Sequence, residues 1–217
     1  GELMSQVKGL CVMDVDGTLI LEEVIDLLGR EAGCEEEISQ ITSRAMRGEL
    51  NFESSLRKRV SLLEGLPISV FDTVFKSIQL TPNAQEFISI LQKNGILVGL
   101  VSGGFTQIVE RLAKSLDIAY FSANQLEVKD GFLTGKLVGQ IINPEVKKAT
   151  LEKWTEELKL SKERTIAIGD GANDLLMLKS AGLGIAFCAK EVLKKEIPNH
   201  VDKRDFLEVL PFIDWLE

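Results

Sequence analysis

Short apolar runs alternate with amphipathic segments along most of this 217-residue chain. The runs at residues 10–13, 96–101, 165–168 and 183–187 are almost continuously apolar, and the first three are followed by residues rich in Gly, Asp or Ser. Runs of this length and composition predict strands that are buried on both faces of a parallel sheet. Residues 118–121 form a weaker fifth candidate.

Helical spacing of apolar residues marks the segments between these runs. Residues 84–93 follow this spacing and stop at Asn94-Gly95, which is a common helix C-terminus. Residues 105–116 and 146–158 repeat the pattern. Strands that alternate with helices of this length predict βαβ units around a parallel sheet.

The interval between the first two strands is too long for a simple crossover, which needs only about a dozen residues. Residues 21–80 contain four helix-like segments and predict an inserted helical cap domain, with the core formed by residues 1–20 and 81–217. An Asp-Gly pair within residues 126–137 predicts a small hairpin. The predicted fold is therefore α/β, a Rossmann-like parallel-sheet core with an inserted helical cap domain and a small hairpin flap.

The amino-acid composition restricts the kinds of partner that the protein can be expected to bind. The chain has 25 Lys and Arg against 33 Asp and Glu, a net charge of −8, which argues against nucleic-acid binding. No apolar stretch approaches the roughly 18–20 residues that span a bilayer. Three cysteines at wide spacing predict neither a disulfide framework nor a zinc site, which favours a cytoplasmic location. We expect a small-molecule substrate, no nucleic-acid or membrane partner, and a monomer or homodimer.

Three predicted strands end in conspicuous polar residues. These ends are residues 14–18 (DVDGT), 102–104 (SGG) and 169–174 (GDGAND). Ligands of open parallel sheets bind beyond the carboxyl ends of the strands, so we expect the three groups to meet at one edge.

Asp14 and Asp16 lie two residues apart, and on an extended chain their side chains point the same way. Together with Asp170 they form a group of hard oxygen ligands that suits Mg²⁺. An Asp-rich turn is the alternative interpretation of the pair alone. A calcium loop is excluded by spacing, because Leu19 and Ile25 stand where that loop requires Gly and Glu.

A second group of residues is suited to an anion. Ser102 and the glycines after it lie between a predicted strand and a predicted helix, where backbone N–H groups can approach a phosphate. Lys147 and Lys148 open a later helix, and either lysine is a candidate phosphate ligand. A plain loop and a solvated helix face remain open as alternative interpretations.

These motifs occur in the order that is typical of one known family. Residues 14–18, residues 102–105, Lys147 and residues 169–174 resemble the motifs of the haloacid dehalogenase superfamily and, within it, of the phosphoserine phosphatases. The resemblance covers nearly the whole chain, including the helical insertion. One departure is Gly17, where family members usually carry Ser.

The resemblance implies a Mg²⁺-dependent phosphoric monoester hydrolase that converts O-phospho-L-serine to L-serine and phosphate, the last step of serine biosynthesis. It implies that Asp14 is the nucleophile that becomes an aspartyl-phosphate, and that Asp16 is the general acid and base. It implies Mg²⁺ ligation by the Asp14 carboxylate, the Asp16 main-chain carbonyl and Asp170.

The resemblance also assigns the remaining site residues. Ser102, the Gly103 N–H and Lys147 would bind phosphoryl oxygens, with Lys147 preferred over Lys148 because its spacing to residues 150–151 matches the family. Asn173 would complete the substrate-binding group and Asp174 would support it.

The cap residues supply the predicted specificity. Glu23 would bind the substrate ammonium group, Arg59 its carboxylate, and Met46 and Phe52 would line the same pocket. The alternatives are a phosphatase or phosphotransferase for another small phosphomonoester and a non-catalytic phospho-accepting module. Asp16, an acid and base beside the nucleophile, argues against the non-catalytic phospho-accepting module.

Overall fold

A seven-stranded sheet organises the computed structural model, which describes residues 7–216. Residues 1–6 and 217, which the predicted core segments include, lie outside the described residues. The strands in chain order are β1 (Gly9–Met13), β2 (Ile96–Phe105), β3 (Tyr120–Lys129), β4 (Phe132–Val138), β5 (Thr165–Gly169), β6 (Leu183–Phe187) and β7 (His200–Val201). Their order across the sheet is β4-β3-β2-β1-β5-β6-β7. All neighbours are parallel except β3 and β4, which are antiparallel.

The fold class is confirmed, and so are the four strongly predicted strands. The fifth candidate was correct in kind but not in extent, because β3 begins at Tyr120 and continues to Lys129. Its second half pairs with β4 to form the predicted hairpin, with Asp130 and Gly131 at the turn in positive-φ conformations. Strand β7, with only two residues, was not predicted.

Helices occupy the connections between the strands. They are α1 (Val24–Glu31), α2 (Glu35–Met46), α3 (Phe52–Ser61), α4 (Val70–Ser77), α5 (Ala84–Lys93), α6 (Thr106–Ser115), α7 (Pro144–Glu157), α8 (Leu175–Ser180) and α9 (Glu191–Lys194). Helices α1–α4 all lie between β1 and β2, as the sequence predicts.

The central strand β1 is buried on both faces, because helices cover both sides of the sheet. Cys11 and Met13 pack with the larger apolar cluster, while Leu10 and Val12 pack with a second cluster that includes Trp154 of α7. Alternate side chains of a strand point to opposite faces. The continuous apolar run therefore reflects a layered core that holds the end of β1 in place.

Two sets of backbone hydrogen bonds hold the helical insertion in place, and side-chain contacts such as Arg111 Nη1 to Asp72 Oδ1 at 2.7 Å add to them. At its two connections with the core, Leu21 N donates to Gln79 O at 3.0 Å and Thr81 N donates to Leu19 O at 2.9 Å. A second set of backbone bonds, which we call the cap–hairpin seam, joins residues 65–68 to residues 131–133.

The seam consists of three backbone hydrogen bonds. Gly65 N donates to Leu133 O at 2.9 Å, Leu133 N to Leu66 O at 2.8 Å, and Ile68 N to Gly131 O at 3.0 Å. The turn of the β3–β4 hairpin is thus paired with the segment that joins α3 to α4. Among residues 7–216, no helix combines the length and apolarity needed to cross a membrane.

Candidate active site

The chain order of the strands creates a crevice at the carboxyl end of β1. From β1 the chain continues to β2 and β3 on one side, and later to β5 and β6 on the other. Such a reversal of strand order leaves a gap between the flanking connections, where ligands of open sheets bind. The ends of β1, β2 and β5 carry the three polar groups that the sequence predicts to converge.

Asp14 follows directly after β1 and is held by the neighbouring strand, since its N–H donates to Ile168 O at 2.9 Å. Lys147, in the first turn of α7, is completely buried and donates from Nζ to Asp14 Oδ1 at 2.7 Å. The same ammonium donates to Asp174 Oδ1 at 2.7 Å. Lys148 is exposed, so the structure brings only the first of the two candidate lysines to this site.

Asp174 uses both carboxylate oxygens within the protein. Besides the bond to Lys147, its Oδ2 accepts from Asp170 N at 3.0 Å and from Gly171 N at 3.2 Å. A Cβ atom on Gly169 would lie 2.5 Å from Asp174 Cγ, so this close approach requires glycine there. Asp174 thereby fixes the loop after β5 against α7.

Three buried carboxylates form a group suited to a metal ion. One oxygen from each of Asp14, Asp170 and Asp174 lies within 4.8 Å of the others. Thr18 Oγ1 donates to Asp170 Oδ1 at 3.2 Å and helps orient it. Hard carboxylate oxygens at this spacing fit a small divalent cation. The side chain of Asp16 is not in this group.

Burial dominates the electrostatics of these acids. It raises the pKa of Asp14 to about 7, with Lys147 lowering that pKa and Asp170 raising it. Burial likewise raises the pKa of Asp174 to about 6, to which the Asp14 charge contributes. Burial disfavours the charged ammonium of Lys147, but the carboxylates of Asp14 and Asp174 outweigh it and raise the lysine pKa. Lys190 adds a second, half-exposed ammonium, whose Nζ lies 3.6 Å from Asp170 Oδ2. The carboxylates of Asp14, Asp170 and Asp174 still outnumber these two lysines, so the site holds excess negative charge.

Asp16 stands apart from the metal-binding group and is tied to the first cap helix. Its Oδ2 accepts from Val24 N, the first residue of α1, at 3.2 Å, whereas its Oδ1 is buried without a partner. Burial and the charge of Asp14 raise the Asp16 pKa to about 7. A carboxyl group that titrates near neutral pH and has an unused oxygen is suited to proton transfer.

The strand end at Ser102 bulges out of the sheet. Val101 pairs with Ser122 and Phe105 with Asn124, so three residues of β2 face one residue of β3. Within the bulge, Gly104 N donates to Ser102 Oγ at 2.8 Å. A Cβ atom on Gly104 would lie 3.0 Å from Ser102 Oγ and 3.2 Å from Asp16 Oδ2, so the bulge brings the Ser102 hydroxyl close to the acids. Gly103 lines the same cavity as Asp14, where its backbone can approach an anion.

One cavity connects the acids with the cap. Of the predicted site residues, it is lined by Asp14, Asp16, Glu23, Met46, Phe52, Arg59, Gly103 and Asn173. The other predicted residues, Ser102, Lys147, Asp170 and Asp174, lie behind this lining and are almost completely buried. Four further lining residues were not predicted: Ile25, Leu56, Gly104 and Phe105.

Arg59 is the buried cation of the cap. Its Nε donates to Ser55 O at 3.1 Å and its Nη1 to Thr42 Oγ1 at 3.1 Å, while Nη2 has no partner. The Thr42 hydroxyl also bonds Asp26 Oδ1 at 3.0 Å. Burial lowers the Arg59 pKa, while nearby acids, Glu23 first among them, act in the opposite direction. The guanidinium is thus held on one side and left unpaired on the cavity side.

Glu23 lines the cavity with Arg59 and has a pKa well above its usual value. Burial is the main cause, and the charges of Asp16, Asp170 and Asp14 add to it. The ionised form of Glu23 is unfavourable beside these other acids unless a cation enters the cavity. Glu23 and Arg59 therefore offer opposite charges to a ligand from the cap.

The cap lies close over the strand ends. A Cβ atom on Gly103 would lie 2.7 Å from Phe52 Cζ, and one on Gly171 would lie 3.0 Å from Met46 Sδ. Glycines at these positions let both cap side chains rest on the core backbone. These contacts bring the cap directly against the ends of β2 and β5.

Gly17 lies in the left-handed region at φ +77°, and a Cβ atom there would be 2.4 Å from Asp170 Oδ2. The departure from Ser therefore fits the conformation of this loop. Arg204, from the chain's C-terminal segment, donates from Nη1 to Gly17 O at 2.8 Å.

Sequence reasoning assigned no role to Thr18, Thr42, Asn124 or Arg204. Thr18 belongs to the first motif, so a closer inspection of that motif would have found it. Thr42 lies one turn of α2 before Met46, so a search for polar residues on the inner face of that helix would have found it. For Asn124 and Arg204 no sequence pattern gives a signal, because their contacts depend on the tertiary fold.

Comparisons with known proteins agree with this geometry. A family model described as haloacid dehalogenase-like hydrolase matches residues 9–182. Phosphoserine phosphatase of Streptococcus thermophilus is 53% identical over 211 residues, which cover 97% of this chain and 98% of the relative.

Two solved structures superpose with a TM-score of 0.93 each. One is a phospho-aspartyl intermediate analogue of phosphoserine phosphatase, 47% identical and covering 96% of this chain and 100% of that chain. The other is a substrate-bound phosphoserine phosphatase complex, 46% identical and covering 95% and 99% of the two chains. The chain therefore belongs to the haloacid dehalogenase-like hydrolases and, within them, to the phosphoserine phosphatase family.

Proposed function

We propose that this protein hydrolyses O-phospho-L-serine to L-serine and phosphate through an aspartyl-phosphate, as the last step of serine biosynthesis. One observation supports this most strongly. A single cavity is lined by Asp14 and Asp16 on the core side and by Glu23 and Arg59 on the cap side. The first pair suits phosphoryl transfer, and the second suits the ammonium and carboxylate groups of an amino acid.

Asp14 is the nucleophile in this proposal. A carboxylate oxygen forms a bond to phosphorus while the bond from phosphorus to the serine oxygen breaks. Asp16 donates a proton to the departing serine oxygen. It then takes a proton from the water that attacks the aspartyl-phosphate, which releases phosphate and restores both carboxyl groups. Its pKa near 7 allows both roles at neutral pH.

Ser102, the Gly103 N–H and Lys147 bind the phosphoryl oxygens. A hydroxyl, an amide and an ammonium group fixed before the reaction stabilise charge on the phosphoryl group in the transition state. Lys147 also keeps Asp14 oriented through the 2.7 Å bond. Asn173 lines the cavity with an unpartnered Oδ1, and Asp174 supports both Lys147 and the loop after β5.

The residues fit Mg²⁺, which the Asp14 carboxylate, the Asp16 main-chain carbonyl and Asp170 would hold. Asp174 approaches the same point, but its oxygens already bond Lys147 and two backbone N–H groups, so we assign it a supporting role. When bound, Mg²⁺ supplies positive charge that offsets the clustered carboxylates and polarises the phosphoryl group.

The cap selects the substrate. Arg59 has a free Nη2 that can bond a carboxylate oxygen, and Glu23 can bond an ammonium group. Met46 and Phe52 enclose the short serine side chain and exclude water. We assign residues 21–80 to this specificity cap and residues 1–20 and 81–217 to the catalytic core.

We also propose that the protein is cytoplasmic and is a monomer or homodimer. Its three cysteines are free thiols, which fits a reducing compartment. Neither statement affects the chemistry.

Phosphate release from three substrates tests the function. L-phosphoserine, L-phosphothreonine and a sugar phosphate are compared with Mg²⁺ and with EDTA present. We expect Mg²⁺-dependent turnover with preference for phosphoserine, and selectivity for the sugar phosphate would refute the substrate assignment. Asp14→Asn is expected to abolish turnover while the protein still folds, and retained activity would remove Asp14 from its role.

A further inference from the structure

A buried side-chain amide links the two loops that carry the phosphoryl-binding groups. Asn124 lies on β3 and is 1% exposed. Its Nδ2 donates to Gly103 O at 3.0 Å, and its Oδ1 accepts from Ile142 N at 2.7 Å. The amide therefore uses both of its ends between two backbone segments that are distant in sequence.

The first of these bonds replaces one that the sheet has lost. Residues 102–104 of β2 bulge out of the ladder with β3, and buried carbonyl groups in a bulge need other partners. The Asn124 amide partners the carbonyl of Gly103, which belongs to the peptide group between Gly103 and Gly104. The plane of that peptide group is therefore fixed from its carbonyl side.

The fixed peptide group orients the Ser102 hydroxyl. The N–H of the same peptide, on Gly104, donates to Ser102 Oγ at 2.8 Å. Because a lone pair of the oxygen is occupied in this way, the hydroxyl hydrogen is left to donate elsewhere. Asn124 thus acts on Ser102 through one peptide group, without touching a substrate.

The second bond of Asn124 positions the helix that carries Lys147. Ile142 directly precedes Asn143, the N-cap residue of α7, whose side chain accepts from Val146 N at 2.8 Å. The Asn143 carbonyl accepts from Lys147 N at 2.9 Å. A fixed Ile142 therefore fixes the first turn of α7, from which the lysine side chain extends to Asp14.

We propose that Asn124 is a positioning residue for phosphoryl transfer, which holds Ser102 and Lys147 at their required separation by joining the β2 bulge to the start of α7. This inference rests on the proposed function, in which both residues bind phosphoryl oxygens. It adds a residue on β3, a strand that none of the sequence motifs includes.

The first experiment compares Asn124→Ala with the unaltered protein in saturating Mg²⁺. We expect kcat per folded molecule to fall about tenfold to a hundredfold, the range found when supporting residues are removed. The inhibition constant for inorganic phosphate should also rise. The KM for phosphoserine should rise less than kcat falls, because the cap groups still hold the amino-acid end.

Thr165→Val is the matched control. The buried Thr165 hydroxyl also bridges two backbone segments, donating to Lys162 O at 2.6 Å and accepting from Gly182 N at 2.9 Å. It lies at the opposite end of β5 from the acids, so this variant should lose stability without losing kcat. The free energy of unfolding is measured for both variants.

Asn124→Asp separates packing from hydrogen bonding. It preserves the side-chain volume and the acceptor for Ile142 N, but at alkaline pH it places a carboxylate oxygen against Gly103 O in place of the donor. We expect a loss of kcat at least as large as that of Asn124→Ala. A kcat within about twofold of the unaltered protein for both Asn124 variants would overturn the proposal. So would an equal loss in Thr165→Val.

An aryl phosphate without amino or carboxylate groups serves as a second substrate. The Asn124 effect should appear with it as well, because the residue acts only on the phosphoryl end. If the protein turned over the aryl phosphate but not phosphoserine, the substrate assignment would fail while the positioning role was still tested.

Discussion

Lys147→Met offers the most direct test of how the charges of the site are balanced. Methionine nearly preserves the length of the side chain but removes the ammonium group. That group is completely buried and lies 2.7 Å from one oxygen of Asp14 and 2.7 Å from one oxygen of Asp174. Its removal leaves two carboxylates without their shared cation.

Removing one partner of a buried ion pair costs about 3–5 kcal/mol, a large part of the roughly 5–15 kcal/mol that stabilises a typical domain. Lys147 lowers the pKa of both Asp14 and Asp174, so each pKa should rise further in the variant. Protonation then relieves part of the repulsion at low pH. The loss of stability should therefore be smaller at about pH 5.5 than at about pH 8.

Urea denaturation in EDTA at both pH values measures this loss, and phosphate release measures the effect on turnover. We expect kcat to fall by a factor of about a hundred or more, because a fixed charge near the transferring group is lost. The acidic limb of the pH profile should also move to higher pH, since Asp14 must be ionised to attack phosphorus.

Lys148→Met is the control, because Lys148 is the exposed neighbour on the same helical turn. It should match the unaltered protein in both assays. If the two variants behaved alike, or if Lys147→Met lost less than about 1 kcal/mol at alkaline pH, the account of a shared buried cation would be wrong.

Three further predictions concern the cap, the bulge and the metal. Arg59→Lys should raise the KM for phosphoserine about tenfold to a hundredfold, because lysine lacks the planar fork, while aryl phosphate turnover stays unchanged in steady-state kinetics; an equal effect on both substrates would contradict the assignment. Gly103→Ala should lower kcat/KM, because its Cβ would lie 2.7 Å from Phe52 Cζ. Adding Phe52→Leu should restore part of kcat/KM. If it did not, the loss would come from a distorted bulge and not from the clash with Phe52. The rise in Tm caused by Mg²⁺ should be larger at about pH 8 than at about pH 5.5, because the raised pKa of Asp14 leaves it protonated at the lower pH; an equal rise at both would contradict this pKa shift.

Much of the fold was predictable because its strongest signals are local. Helix α5 has the predicted bounds, since its apolar spacing and its Asn-Gly end agree. The short helices α8 and α9 were not predicted, because one or two turns give too few apolar positions to show a period. Strand β3 was predicted too short, because its second half is polar on the face that the hairpin exposes.

The site residues, like the helices and strands, were predictable where the sequence signal is local. Asp14, Ser102 and Asp170 follow apolar strands, so the sheet rule predicts their convergence. The local pattern did not decide between Lys147 and Lys148, and only the family spacing favoured Lys147. Adjacent residues point about 100° apart on a helix, so packing against the sheet shows which one faces inward. Asn124 gave no signal, since its partners come from two other segments.

The cap–hairpin seam has a consequence for exchanging caps between relatives. Its hydrogen bonds join only backbone atoms, so they restrict side chains mainly at Gly65 and Gly131, whose φ angles of +91° and +84° favour glycine. They are sensitive to length, because an inserted or deleted residue in either segment shifts every donor away from its acceptor. A chimaera that takes its cap from a relative should therefore tolerate substitution at residues 66–68, 132 and 133. It should keep glycine at residues 65 and 131, and both segments must keep the same number of residues. Residues 65–68 and 131–133 are far apart in the chain, yet their lengths must match whenever a cap is exchanged.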